Sequence, residues 1–146
     1  MGYTVVIGYD GSGGAKTALD AAVRLAKAEK DGQVIITCAQ HHEPSWVGMT
    51  PFGKSMQGEH EWKETTIKIV AELELAAETV RAAGISCGTV CSGGSPADVV
   101  VTAAKEANAD IIVVGAIGSG GSRGLLGSTV SGVLRHTHIP VLVVPE

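Results

Sequence analysis

The chain has 146 residues, of which 45% are hydrophobic and only 3% aromatic, with a formal net charge of -4. That length and apolar content suit one domain around one core, spanning 1–146, and exclude global disorder. The acidic balance excludes the basic footprint that nucleic acid or an anionic membrane surface demands.

With so few aromatics, the core must be built from Val, Ile, Leu and Ala. The start, Met1-Gly2-Tyr3-Thr4, enters a strand pattern at once, without the basic and long apolar regions of a secretory signal. The first strand is expected over Tyr3–Tyr9 (YTVVIGY) and is followed by Asp10-Gly11-Ser12. Ala18, Leu19, Ala22, Val23, Leu25 and Ala26 recur at helical spacing, predicting a helix over Ala15–Lys30 started by Ser12 or a neighbouring glycine. Gln33–Ala39 (QVIITCA) reads as a second strand. The segment His41–Glu59 is long for a connection and carries Pro44, Trp46, Pro51 and Phe52, so a flap over the ligand side is expected.

A second helix is predicted over His60–Ala83, ended by Gly84 as a left-handed cap. Ile85–Cys91 (ISCGTVC) is more polar and contains Gly88, which suits an edge strand. Ser95-Pro96-Ala97-Asp98 has the order N-cap, first-turn proline and early acid, opening a helix to about Asn108. Asp110–Gly115 (DIIVVG) and Pro140–Val144 (PVLVV) are continuous apolar runs, the mark of strands buried on both faces. A short helix over Ser128–His136 separates them. Strands alternating with helices imply a parallel sheet with right-handed crossovers, and ligands of such sheets bind beyond the strands' carboxyl ends.

No apolar run approaches the roughly 18–20 residues of a membrane span. Cys38, Cys87 and Cys91 form neither an even disulfide framework nor a CxxC pair. They are expected as free, core-packing thiols in a reducing cytoplasm, Cys87 and Cys91 sharing one strand face. His41, His42 and His60 lack the spacing of a metal site.

After the fourth strand runs Gly115-Ala116-Ile117-Gly118-Ser119-Gly120-Gly121-Ser122-Arg123-Gly124-Leu125-Leu126-Gly127-Ser128-Thr129. Its glycines let backbone approach a ligand closely, and the following helix start attracts anions. Ser128 and Thr129 carry hydroxyls suited either to phosphate oxygens or to capping. The loop has no P-loop lysine and no dinucleotide fingerprint. Gly120-x-Ser122-x-Gly124 matches the nucleophile elbow literally, but Ser122 lies far beyond the strand and no acid falls between it and His136. A phosphoacceptor receiver would want an aspartate where Cys91-Ser92 stands. Asp10 suits a ribose hydroxyl or a Mg2+ ion beside phosphates, or a plain turn. No base, nucleophile and orienting group converge, so at most slow ATP hydrolysis is expected rather than dedicated catalysis.

Taken together, Asp10-Gly11-Ser12, Gly93-x-Ser95-Pro96, Asp110–Gly115, the glycine loop through Gly127-Ser128-Thr129, and the closing Ile139–Val144 resemble the universal stress protein family over nearly the whole chain. The resemblance implies an α/β fold: a single doubly wound domain with a five-stranded parallel sheet of order 3-2-1-4-5 and helices on both faces. It also implies a homodimer through the last strand. Its ATP-binding branch uses Gly-x-x-Gly, nine residues, then Gly-Ser/Thr; here Gly115-x-x-Gly118 and Gly127-Ser128 match, with eight residues between. Carried over by position, base and ribose contacts fall at Gly8, Tyr9, Asp10 and Ala39, and Val114 is a further nucleotide contact. Phosphate contacts fall at Gly115, Gly118, Ser119, Gly127, Ser128 and Thr129. The implied function is binding of ATP, AMP or cyclic AMP, with Mg2+ as a candidate companion, in stress response or signalling. The bulky Tyr9 and the shorter loop keep a second function open, a dimeric interaction protein that binds no nucleotide.

Overall fold

The computed structural model describes residues 2–10, 13–40, 56–116 and 127–145, with 56–66 as backbone only. The chain order is β1 (Thr4–Gly8), α1 (Gly13–Ala28), β2 (Gln33–Gln40), α2 (Met56–Ala82), β3 (Ser86–Gly93), α3 (Pro96–Glu106), β4 (Ile111–Gly115), α4 (Ser128–His136) and β5 (Val141–Val144). The strands form one sheet in the order β3-β2-β1-β4-β5. Every pairing is parallel. The expected topology is the observed one, and the polar third strand does lie at an edge.

Side-chain alternation along the central strands builds a core on each side of the sheet. Val5, Ile7, Val34, Ile36, Cys38 and Val113 face one way and pack with Ala18, Leu19 and Ala22 of α1 and Leu73, Ala77 and Val80 of α2. Val6, Ile112 and Val114 face the other way, onto Ala97, Val100 and Ala104 of α3 and Val130 and Val133 of α4. On that second face the two helices approach so closely that a Cβ at Gly132 would stand 2.5 Å from the Ala97 Cβ.

Local signals set most boundaries. The Ser95 hydroxyl accepts from the Asp98 N–H at 3.2 Å, with Pro96 opening α3. Gly84, at φ 85, terminates the connection after α2 in the left-handed region. Beyond α3, Asn108 takes φ 50, a conformation that asparagine tolerates better than most residues. At the amino end of the sheet the Asp110 carboxylate accepts from the Thr4 N–H at 2.8 Å, and the Thr4 carbonyl accepts from the Asp110 N–H at 2.9 Å.

Most boundaries differ from expectation by a residue or two, and three differences bear on the site. α1 starts at Gly13, before its apolar pattern begins, and Ser12 lies outside the described residues. α2 starts at Met56 rather than His60, so the last part of the expected flap is helix, while 41–55 lie outside the described residues. β3 is shifted towards its carboxyl end, because backbone pairing with β2 continues through Ala39↔Ser92 and Gln40↔Gly93. No described helix is long and apolar enough to cross a membrane.

Candidate functional site

In a parallel sheet all carboxyl ends share one rim. Here β1 and β4 are neighbours whose following helices, α1 and α4, lie on opposite faces. Their tips therefore diverge into a crevice, the switch point where doubly wound sheets hold ligands.

The β1 tip brings Gly8, Tyr9 and Asp10 to this rim. A Cβ at Gly8 would stand 2.9 Å from Val100 Cγ2 and 3.9 Å from Val114 Cγ1. Val114 is 2% exposed and belongs to the core beneath α3 and α4, so its side chain is packing rather than rim surface. The Tyr9 N–H donates to the Thr37 carbonyl at 2.9 Å, and its half-buried ring packs against the α1/α2 core. Burial raises the Tyr9 phenol above its ordinary 10.0, with the Glu72 and Asp10 carboxylates adding to the effect by opposing a phenolate. Asp10 is exposed.

Thr37 fastens β1 to β2 at this end. It is 1% exposed, and its Oγ1 donates to the Ile7 carbonyl at 2.9 Å. Sequence reasoning did not single it out. The available signal was a hydroxyl inside the apolar run QVIITCA, where burial demands a partner. Glu72 was missed too, because its proximity to Tyr9 depends on how α2 docks. Ala39 follows on β2, half-buried and opposite Ser92.

At the β4 tip, a Cβ on Gly115 would stand 3.1 Å from the Gly14 carbonyl oxygen, so this strand end closely approaches the start of α1. The Ala116 N–H donates to the Val144 carbonyl, and the Ala116 carbonyl accepts from the Gly127 N–H, each at 2.9 Å. The second bond joins the two ends of the glycine-rich loop. Gly118 and Ser119, with the rest of 117–126, lie outside the described residues. Gly127 is the N-cap of α4, and no side chain makes a capping hydrogen bond there. The first N–H groups of any helix have no partner further back in it, so the α4 start carries donors and a positive dipole end beside the β4 tip. Ser128 is exposed and Thr129 half-buried at this helix start. The capping alternative for their hydroxyls does not hold, since the cap position belongs to Gly127.

The structure thus gathers Gly8, Tyr9, Asp10, Gly115, Gly127, Ser128 and Thr129 around one switch point. Ala39 stands one strand away on the same rim. Within this set, the start of α4, with the N–H groups and hydroxyls of Ser128 and Thr129 behind the Gly127 cap, suits the phosphates of a nucleotide. No group of three or more His, Cys, Asp or Glu suited to a metal occurs among the described residues.

Cys38 sits just below this rim, and burial together with the adjacent Cys91 pushes its thiol from 9.0 up to about 11. An unfolded chain loses this proton near pH 9 while the folded chain keeps it to about 11, so the stability contributed is present below pH 9 and lost as pH rises through about 11. Iodoacetamide labelling of Cys38, followed by peptide mass spectrometry, is therefore expected to rise with pH around 11 in the folded protein and around 9 in denaturant. Coincident profiles would remove the burial effect.

A doubly wound α/β protein with its candidate site at the β1/β4 switch point is what the fold and geometry define. The chain belongs to the universal stress protein family, whose family model matches residues 2–145. It is 32% identical over 148 residues to Universal stress protein YxiE of Bacillus subtilis, covering 96% of this chain and 97% of that protein. Among solved structures, a universal stress protein in complex with cAMP aligns with a TM-score of 0.67 at 31% identity, over 97% of this chain and 95% of the other. A universal stress protein family member of Arabidopsis thaliana with AMP bound aligns with a TM-score of 0.68 over 99% of this chain and 92% of the other, and at 18% identity it speaks to the fold alone.

Proposed function

We propose that the chain binds an adenine nucleotide at the β1/β4 switch point and acts in stress response or signalling rather than as a dedicated catalyst. The observation that carries this reading is the convergence of Gly115, Gly127 and the uncapped start of α4, with Gly8 to Asp10 opposite. The cAMP complex of a relative 31% identical supports the ligand class. Base and ribose would lie against Gly8, Tyr9, Asp10, Ala39 and the Val114 backbone. Phosphates would meet Gly115, Gly118, Ser119, Gly127, Ser128 and Thr129. Were a triphosphate bound with Mg2+, the ion would neutralise phosphate charge, and Asp10 is the carboxylate proposed to hold it.

The working state under this reading is a cytoplasmic homodimer. β5 is an edge strand of apolar sequence, with Leu142 on it and Leu134 of α4 both exposed. Such an edge presents unpaired backbone groups and apolar surface to a second copy.

Isothermal titration with ATP and Mg2+, then with AMP and with cAMP, tests the proposal. Saturable heat at micromolar nucleotide is the expected result, and no heat at high micromolar concentration for any of the three overturns it. Tyr9 favours a second reading, a dimeric interaction protein without nucleotide, since its ring already occupies space at the base end and packs on the core. Native mass spectrometry of the purified protein separates the two, because a co-purified adenine nucleotide counts against the second.

A further inference from the structure

Cys38 and Cys91 stand directly opposite each other in the register of β2 and β3. Both belong to the sheet face covered by α1 and α2. Positions facing across adjacent strands are about 4.8 Å apart, inside the roughly 4.4–6.8 Å window that a disulfide spans between Cα atoms. The Cys91 thiol lies close enough to disfavour a thiolate at Cys38 both by charge and by hydrogen bonding. Cys38 is buried, at 9% exposure, whereas Cys91 is half-buried on the edge strand.

Cys87 supplies an internal comparison. It shares the strand and the face, yet its partner in the register is Val34, so no thiol stands opposite. Its carbonyl is held by the Arg81 guanidinium at 2.9 and 3.2 Å.

We propose that Cys38 and Cys91 form a dithiol oxidation site that a peroxide closes to an intrachain disulfide. The more accessible Cys91 reacts first. Its thiolate attacks a peroxide oxygen, the O–O bond breaks, and hydroxide leaves and is protonated to water. The product is a sulfenic acid at Cys91. The Cys38 sulfur then attacks the sulfenic sulfur; the S–S bond forms, the S–O bond breaks, and the departing hydroxide takes the Cys38 proton as a second water. Both sulfurs are oxidised and one peroxide is reduced. A dithiol such as dithiothreitol reverses the step by exchange. The bridge ties the central half of the sheet to its edge one residue below Ala39, and it forms whether or not a nucleotide binds.

The test exposes the full-length protein to hydrogen peroxide, quenches the reaction, counts thiols in denaturant and maps peptides without reduction. Free thiols are expected to fall from three to one, with Cys38 and Cys91 in one bridged species and Cys87 still open to alkylation. Cys87→Ser should still form the bridge. Cys91→Ser should keep both remaining thiols at the same dose. Three retained thiols, a bridge through Cys87, a bridge between chains, or sulfinic acid at Cys91 beside a free Cys38 would each overturn the proposal.

Discussion

The Gly118→Val variant is expected to lose adenine-nucleotide binding while melting within a degree or two of the parent. Under the proposed function, Gly118 lies where loop backbone meets phosphate, and a branched side chain there takes the space of the anion and blocks several N–H contacts at once. Hydrogen bonds to a charged group contribute roughly 1.5–3 kcal/mol each. Losing even one weakens affinity at least about tenfold, and losing two about a hundredfold or more. Stability should hold because both cores are made by β1, β2, β4 and the four helices, while the loop's ends stay joined through Ala116 and Gly127. Titration calorimetry on parent and variant, with thermal melts followed by circular dichroism, reads both halves. Unchanged affinity would move the phosphates elsewhere, and a large drop in melting temperature would assign Gly118 a structural role instead.

The second large effect is on stability. Ile36→Ala is expected to cost about 2–5 kcal/mol, the range for truncating a fully enclosed isoleucine. Ile36 is 0% exposed in the centre of β2, within the cluster that also holds Leu19, Leu73 and Ala77. With helices packed over it and β1 and β3 on either side, the site has little room to collapse. Urea unfolding should show a lower midpoint with an unchanged slope, since the same surface is exposed on unfolding. A cost under about 1 kcal/mol would mean that α1 or α2 settles into the space, and that this core is looser than its burial implies.

The parts of the fold carried by side-chain pattern are legible in the amino-acid sequence itself. The apolar runs around Val5, Ile36 and Val113 are continuous because both sheet faces are covered, and the parallel order follows from their alternation with helices. The caps at Ser95 and Gly84 are chemical signals that residue type alone reveals. The early starts of α1 and α2 are not legible, because Gly13-Gly14 and Met56-Gln57-Gly58-Glu59 carry no apolar period. The added residues of β3, Ser92 and Gly93, are held by backbone pairing to β2, which leaves no mark on residue type.

The site divides in the same way. Its glycines, Asp10 and the Ser128-Thr129 helix start can be located because strand ends and helix starts are local features. Thr37 locking Ile7, Glu72 beside Tyr9 and Cys38 facing Cys91 depend on register and docking between segments distant in the chain. The packing role of Val114 is likewise invisible, because a run such as DIIVVG does not say which of its residues faces a helix and which the rim.

The hydrogen bond between the Thr4 N–H and the Asp110 carboxylate spans 106 positions of sequence, and it marks the central pairing of β1 with β4. That placement shapes how the chain folds. During synthesis β1 finds one neighbour early, in β2, but waits until β4 is made before its other edge is covered. Loop closure over that distance must precede the contacts that reward it, so high contact order makes the search slow. Until then the β1–β2–β3 half exposes the open edge of the apolar β1, and the switch-point crevice comes into being only when that edge is closed.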